Sequence, residues 1–117
     1  MSPKRGDRVA PPPGPDDWDV RFANNESAKG WEELGNQAAG NTRWAWHEMC
    51  TAPAPRPPTQ RHHPLRDQVA YVAQGSRKLR QWQIEVTSGG RVWYAPDAER
   101  RIVWVTYASP RHPKVTD

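Results

Sequence analysis

Residues 78–109 read as strand, turn, strand, turn, strand, and this stretch constrains the fold more than any other. Trp82, Ile84 and Val86 alternate with Gln81, Gln83 and Glu85. That period of two sets one side of a strand against a core and the other towards solvent. Gly89 and Gly90, after Thr87-Ser88, allow the positive φ of a tight hairpin turn, so a strand opening at Arg91 should run back antiparallel beside residues 78–87. Pro96-Asp97-Ala98-Glu99 reads as a second turn, because proline presets φ and donates nothing to a ladder. A third strand should then start at Arg100 or Arg101. Its β-branched and aromatic run, residues 102–108, suits a central strand covered on both faces, and Pro110 ends it. Arg91 at the mouth of one strand and Arg111-His112 beyond the end of the next would share a rim.

The preceding residues add two helices. Trp18, Val20 and Phe22 alternate as a short strand, and Asn24 or Asn25 can cap a helix over residues 26–37 with Ala28, Trp31 and Leu34 on one stripe. Gly40 is placed to end that helix, and Asn41 or Thr42 to cap a second one reaching Thr51, giving an antiparallel pair. The prolines at 53, 55, 57 and 58 make an extended connector. His62 and His63 suit a surface loop, and such a pair can also act in proton transfer or bind a metal; residues 67–77 carry no clear pattern. The expected fold class is α+β: an N-terminal strand and a two-helix antiparallel hairpin packed on one face of a mainly antiparallel sheet of three to four strands, the other face partly open.

With 117 residues there is room for a single domain, residues 18–117, preceded by an arm of 17 residues holding five prolines and mixed charges, a composition expected to stay disordered. Only 35% of residues are hydrophobic, so the seven tryptophans should dominate a small core. Net charge is +4, and residues 61–117 hold ten basic side chains against five acidic ones. That skew favours a polyanionic partner. Cys50 stands alone, which excludes an intrachain disulfide and suits a reducing compartment. His47 and Cys50 at i, i+3 are one ligand pair without a second, too few for a zinc site. The first residues lack the apolar segment of a signal peptide and no apolar run nears the ~20 residues of a membrane span, so a cytoplasmic location is expected.

In their joint order, Pro64-Leu65-Arg66, Val86-Thr87, Gly90-Arg91-Val92-Trp93-Tyr94 and Arg111-His112 resemble the RelE/ParE superfamily of bacterial toxins, above all its RelE and YoeB-like messenger RNA interferases. The resemblance runs over residues 18–114. It implies a toxin of a type II toxin-antitoxin system, an endoribonuclease that cleaves messenger RNA at the ribosomal A site, restrained by a cognate antitoxin protein. It implies no metal or other cofactor and no membrane. The chemistry is attack of a ribose 2′-hydroxyl on its own 3′-phosphate, which requires a base, an acid and fixed cations around the phosphorane. By the same resemblance Arg91 contacts the scissile phosphate, His112 is the general acid, Arg111 is a second phosphate contact, and His63 stands where the YoeB-like branch has a glutamate base. Arg66 would hold the RNA backbone, Trp93 would stack a base, and Arg77, Lys78, Arg80, Arg100, Arg101 and Lys114 would make salt-sensitive contacts to RNA. Two alternatives share the fold: a ParE-like toxin that binds and inhibits DNA gyrase without nuclease chemistry, and a degenerate member that only binds RNA. Asp67, where the family motif has glycine, bears on the second.

Overall fold

Around the Gly-Gly turn the chain folds into the expected hairpin, and a mixed sheet extends from it. The computed structural model describes residues 3–9 and 11–111. Strand β1 (Asp19–Phe22) leads into helices α1 (Asn25–Gln37) and α2 (Ala39–Thr51). Strands β2 (His62–Pro64), β3 (Tyr71–Gln74), β4 (Arg77–Arg80), β5 (Trp82–Glu85), β6 (Arg91–Asp97) and β7 (Ile102–Ser109) follow, with a 3-10 turn at Asp67–Val69. The architecture is α+β. Five strands form one sheet in the order β1-β7-β6-β5-β2, antiparallel except where β1 runs parallel to β7. β3 and β4 form a separate hairpin.

One face of the sheet carries the core. Val20, Phe22, Ile84, Val86, Val92, Tyr94, Val103 and Val105 are buried in one cluster with Ala28 and Leu34 of α1 and Ala45, Met49 and Cys50 of α2. Each large aliphatic side chain contributes roughly 1.5–3 kcal/mol on burial, and five tryptophans pack around the cluster. Asn24 caps α1: its Oδ1 accepts from the Ser27 N–H at 2.7 Å, and its Nδ2 donates to the Thr106 carbonyl at 3.0 Å, tying the helix to β7. Gly30 lets α1 settle onto the same strand, since a Cβ there would lie 1.6 Å from the Ala108 carbonyl oxygen.

Several elements differ from the sequence reading. Residues 78–87 are not one strand: at Gln81 the backbone N–H turns to the Ala70 carbonyl at 2.8 Å and the carbonyl takes the Leu65 N–H at 2.9 Å. Residues 77–80 therefore pair with 71–74 instead of joining the sheet. Pro96 lies inside β6, opposite Val103, where the β5 partner has already run out at Tyr94 and a missing N–H breaks no bond on that side. The turn falls at residues 98–101, Arg101 adopts φ 53°, and β7 starts at Ile102. β6, rather than β7, is the strand buried on both faces, although β7 is flanked by β1 and β6 as a central strand should be. Gly40 is inside α2, whose start at Ala38 has no side-chain cap, because Asn41 donates instead to the Val86 carbonyl at 2.9 Å.

The arm expected to be disordered is held down where it is described. Its backbone bonds to β1 from Gly6 to the Phe22 carbonyl and from Val9 to the Val20 carbonyl, both at 2.8 Å, and Val9 is buried in the core. Arg8 and Arg21 share the Asp19 carboxylate at 2.9 and 2.8 Å. One apolar residue and a β1 edge in need of a partner outweigh the proline content. Among the described residues no helix is long and apolar enough to cross a membrane.

Candidate functional site

The sheet face turned away from the helices is polar, and its side chains line up across the strands. Register places His63 of β2 beside Gln83 of β5, Gln83 beside Trp93 of β6, and Trp93 beside Tyr107 of β7. This row works as a positioning chain. The Trp93 Nε1–H donates to Gln83 Oε1 at 2.8 Å, which turns the Gln83 amide nitrogen towards His63 Nε2 at 3.4 Å. On its other side the His63 ring places Nδ1 3.1 Å from the Pro64 carbonyl, an atom that can only accept. That contact favours the neutral tautomer with its proton on Nδ1, in which Nε2 accepts from the Gln83 amide. An imidazole so oriented is suited to take a proton.

His63 borders an open groove of about 530 Å³ whose other walls include Arg66, Arg80 and the loop residues Pro58, Thr59 and Gln60. Arg66 is exposed, and Arg80 reaches across to the Leu65 carbonyl at 2.6 Å. The groove thus joins an imidazole to two guanidinium groups, which stay charged at any working pH and match phosphate oxygens in geometry.

Arg91 lies on the same face but is differently engaged. It is 9% exposed, and its Nη1 lies 3.0, 3.2 and 3.0 Å from the carbonyls of Thr87, Ser88 and Gly90. Nη2 stands 4.0 Å from Glu85 Oε2. The arginine expected to grip the scissile phosphate closes the β5–β6 turn, so an incoming anion would meet Nη2 and would compete with a carboxylate. Two strand spacings and two residues separate it from His63, ~12 Å between backbones. The shared rim is present: Arg91 pairs with Ser109, and Arg111 follows two residues on, exposed and 3.9 Å from Glu33 of α1. His112 and Lys114 lie outside the described residues.

Of the expected RNA contacts, Arg66 and Arg80 line the His63 groove, and Lys78 meets Arg80 at the Tyr71 ring. Arg77 is bound to the buried Asp97 at 3.2 Å and to Glu99, so its charge is spent within the fold. Arg101 stacks over Trp18 at 4.9 Å and donates to the Asp16 carbonyl at 2.9 Å, at the β1 edge. That edge is four strand spacings from β2, ~19 Å. Arg100 is exposed in the same turn. Trp93 is too enclosed to stack a base: it is 9% exposed, with the Tyr107 ring 4.9 Å away.

Three residues, two on this face and one on the β3–β4 hairpin, were not singled out from the sequence. Gln83 and Glu85 sit in the alternating pattern that reads as plain solvent exposure, yet Gln83 is buried and orients His63. Tyr71 falls in the stretch without a pattern. Cys50 is buried, its Sγ 3.5 Å from the Trp18 carbonyl, and burial pushes the thiol up to about 12. No group of three potential metal ligands occurs among the described residues. No protein-family model, no curated protein and no solved structure matches the chain.

Proposed function

We propose that this protein is a toxin of the RelE/ParE kind that cleaves messenger RNA at the ribosomal A site without a metal, and that a co-produced antitoxin holds it inactive. The observation that carries the reading is the open groove that His63 of β2 shares with Arg66 and Arg80, where the Pro64 carbonyl beside Nδ1 leaves Nε2 as the acceptor nitrogen. In the proposed step Nε2 removes the ribose 2′-hydroxyl proton and the 2′-oxygen bonds to phosphorus. The bond from phosphorus to the 5′-oxygen then breaks, and an acid protonates the leaving oxygen. Arg66 and Arg80 hold the phosphate oxygens. His112 is the acid by resemblance alone, with Arg111 beside it.

Arg91 favours a second reading, RNA binding without cleavage, because its guanidinium is bound by turn carbonyls and faces Glu85. For the same reason loss of activity in Arg91→Ala would not isolate a phosphate contact. Induction of the intact chain in cells, beside His63→Gln, separates the possibilities. The nuclease reading expects translation arrest with cleaved messages, relieved by His63→Gln. Arrest with intact messages and normal supercoiling supports the RNA binder, and loss of gyrase supercoiling with intact messages supports the ParE-like alternative.

A further inference from the structure

Tyr71, 51% exposed, is the large hydrophobic side chain that stands in solvent among the described residues. It is no stray apolar group. β3 and β4 pair Tyr71 with Arg80 and Ala73 with Lys78, so these four share the outer face of the hairpin. The Lys78 ammonium lies 5.2 Å from the Tyr71 ring centre and the Arg80 guanidinium 5.4 Å from it. Ala73 is too small to crowd the ring. An exposed aromatic ring with two cations in cation–π contact over it suits what one nucleotide of a single strand offers, a base face and its phosphates. Arg80 belongs both to this platform and to the His63 groove.

We propose that the β3–β4 hairpin is a binding platform for single-stranded RNA, on which Tyr71 stacks one base while Lys78 and Arg80 take the adjoining phosphates and lead the strand towards His63. The inference rests on the RNA-directed reading above and adds the strandedness of the substrate. An acidic protein segment would also be drawn to the two cations, but it would leave the ring face unused.

Binding of a fluorescent, 2′-O-methylated 12-nucleotide strand to the full chain tests this by anisotropy, because such a strand cannot be cleaved. The platform predicts that Tyr71→Ala weakens binding about 5- to 150-fold and that Tyr71→Phe stays within about twofold. Lys78→Gln should lower the slope of log affinity against log salt by about 0.7. A duplex of the same sequence should bind more weakly and ignore Tyr71. Wild-type affinity in Tyr71→Ala overturns the proposal, as does equal, Tyr71-independent binding of strand and duplex, or loss on Tyr71→Ala of polyglutamate binding alone. Tyr71-dependent binding by a chain that cleaves nothing would uphold the platform and remove the nuclease. Cleavage unaffected by Tyr71→Ala, with unchanged binding, would do the reverse.

Discussion

His62 and His63 are consecutive residues of β2, and the pleat sends them to opposite faces of one sheet. His62 enters the core, 3% exposed. The Tyr94 hydroxyl donates to the Pro53 carbonyl at 2.6 Å, so the His62 Nε2–H must donate to the Tyr94 oxygen. His62 Nδ1 makes no hydrogen bond among the described residues and lies 3.5 Å from Glu48. Burial holds this ring below the usual histidine range, although Glu48 pulls the other way. His63 borders an open groove shared with Arg66 and Arg80, and its Nε2 faces the Gln83 amide nitrogen at 3.4 Å. The same side chain is a buried core polar group on one side and the proposed proton acceptor, lining a groove, on the other, and environment alone makes the difference. The helix-covered face should therefore answer to stability measurements, and the polar face to RNA.

The largest effect should break the polar face without touching the other. His63→Gln is expected to slow single-turnover cleavage ~10²- to 10⁴-fold while thermal unfolding hardly moves. A matching fall in melting temperature would assign His63 to the scaffold. On the covered face, Gly30→Ala forces a methyl group against the Ala108 carbonyl and should cost ~3 kcal/mol in denaturant unfolding, with the rate per folded molecule unchanged. Tolerance of that methyl would mean that α1 can lift off β7.

Acid sharpens the contrast further. Burial holds the folded pKa of His62 below the ordinary histidine value of about 6.5, so the unfolded chain takes up the proton first. The stability due to neutral His62 is present in full above about pH 6.5 and is lost as pH falls from there towards the folded value. Its slope is at most ~1.4 kcal/mol per pH unit. Urea unfolding at pH 7 and pH 5.5 should show this loss, with a smaller one in His62→Gln. An equal loss in both would place the acid sensitivity elsewhere. The smallest effect belongs to Arg101, locked over Trp18 at the far edge. Arg101→Ala should leave RNA affinity within about twofold and cost less than ~1 kcal/mol of stability, which a binding titration can check.

The fold class was legible because period-two apolar positions, the Gly-Gly turn and the Asn24 cap each act over a few residues. What escaped depends on partners far along the chain. Nothing local at Gln81 says that its backbone will leave the sheet for Ala70 and Leu65, or that the arm will find the open edge of β1. The candidate site was half legible for a similar reason. The resemblance pointed to His63, Arg66 and Arg80, which the fold brings to one groove. Charge at Arg77, Arg91 and Arg101 said nothing of the carboxylates, carbonyls and ring that engage them. Gln83 was hidden by its own pattern, since a polar residue in an alternating strand looks like surface until a neighbouring tryptophan engages it.

The most direct test is to determine the chemistry of the termini of a messenger RNA after incubation with the purified chain and programmed ribosomes. His63-based attack by the 2′-oxygen predicts 2′,3′-cyclic phosphate and 5′-hydroxyl ends from the native chain and none from His63→Gln. Intact message, or ends bearing 5′-phosphate and 3′-hydroxyl, would contradict it.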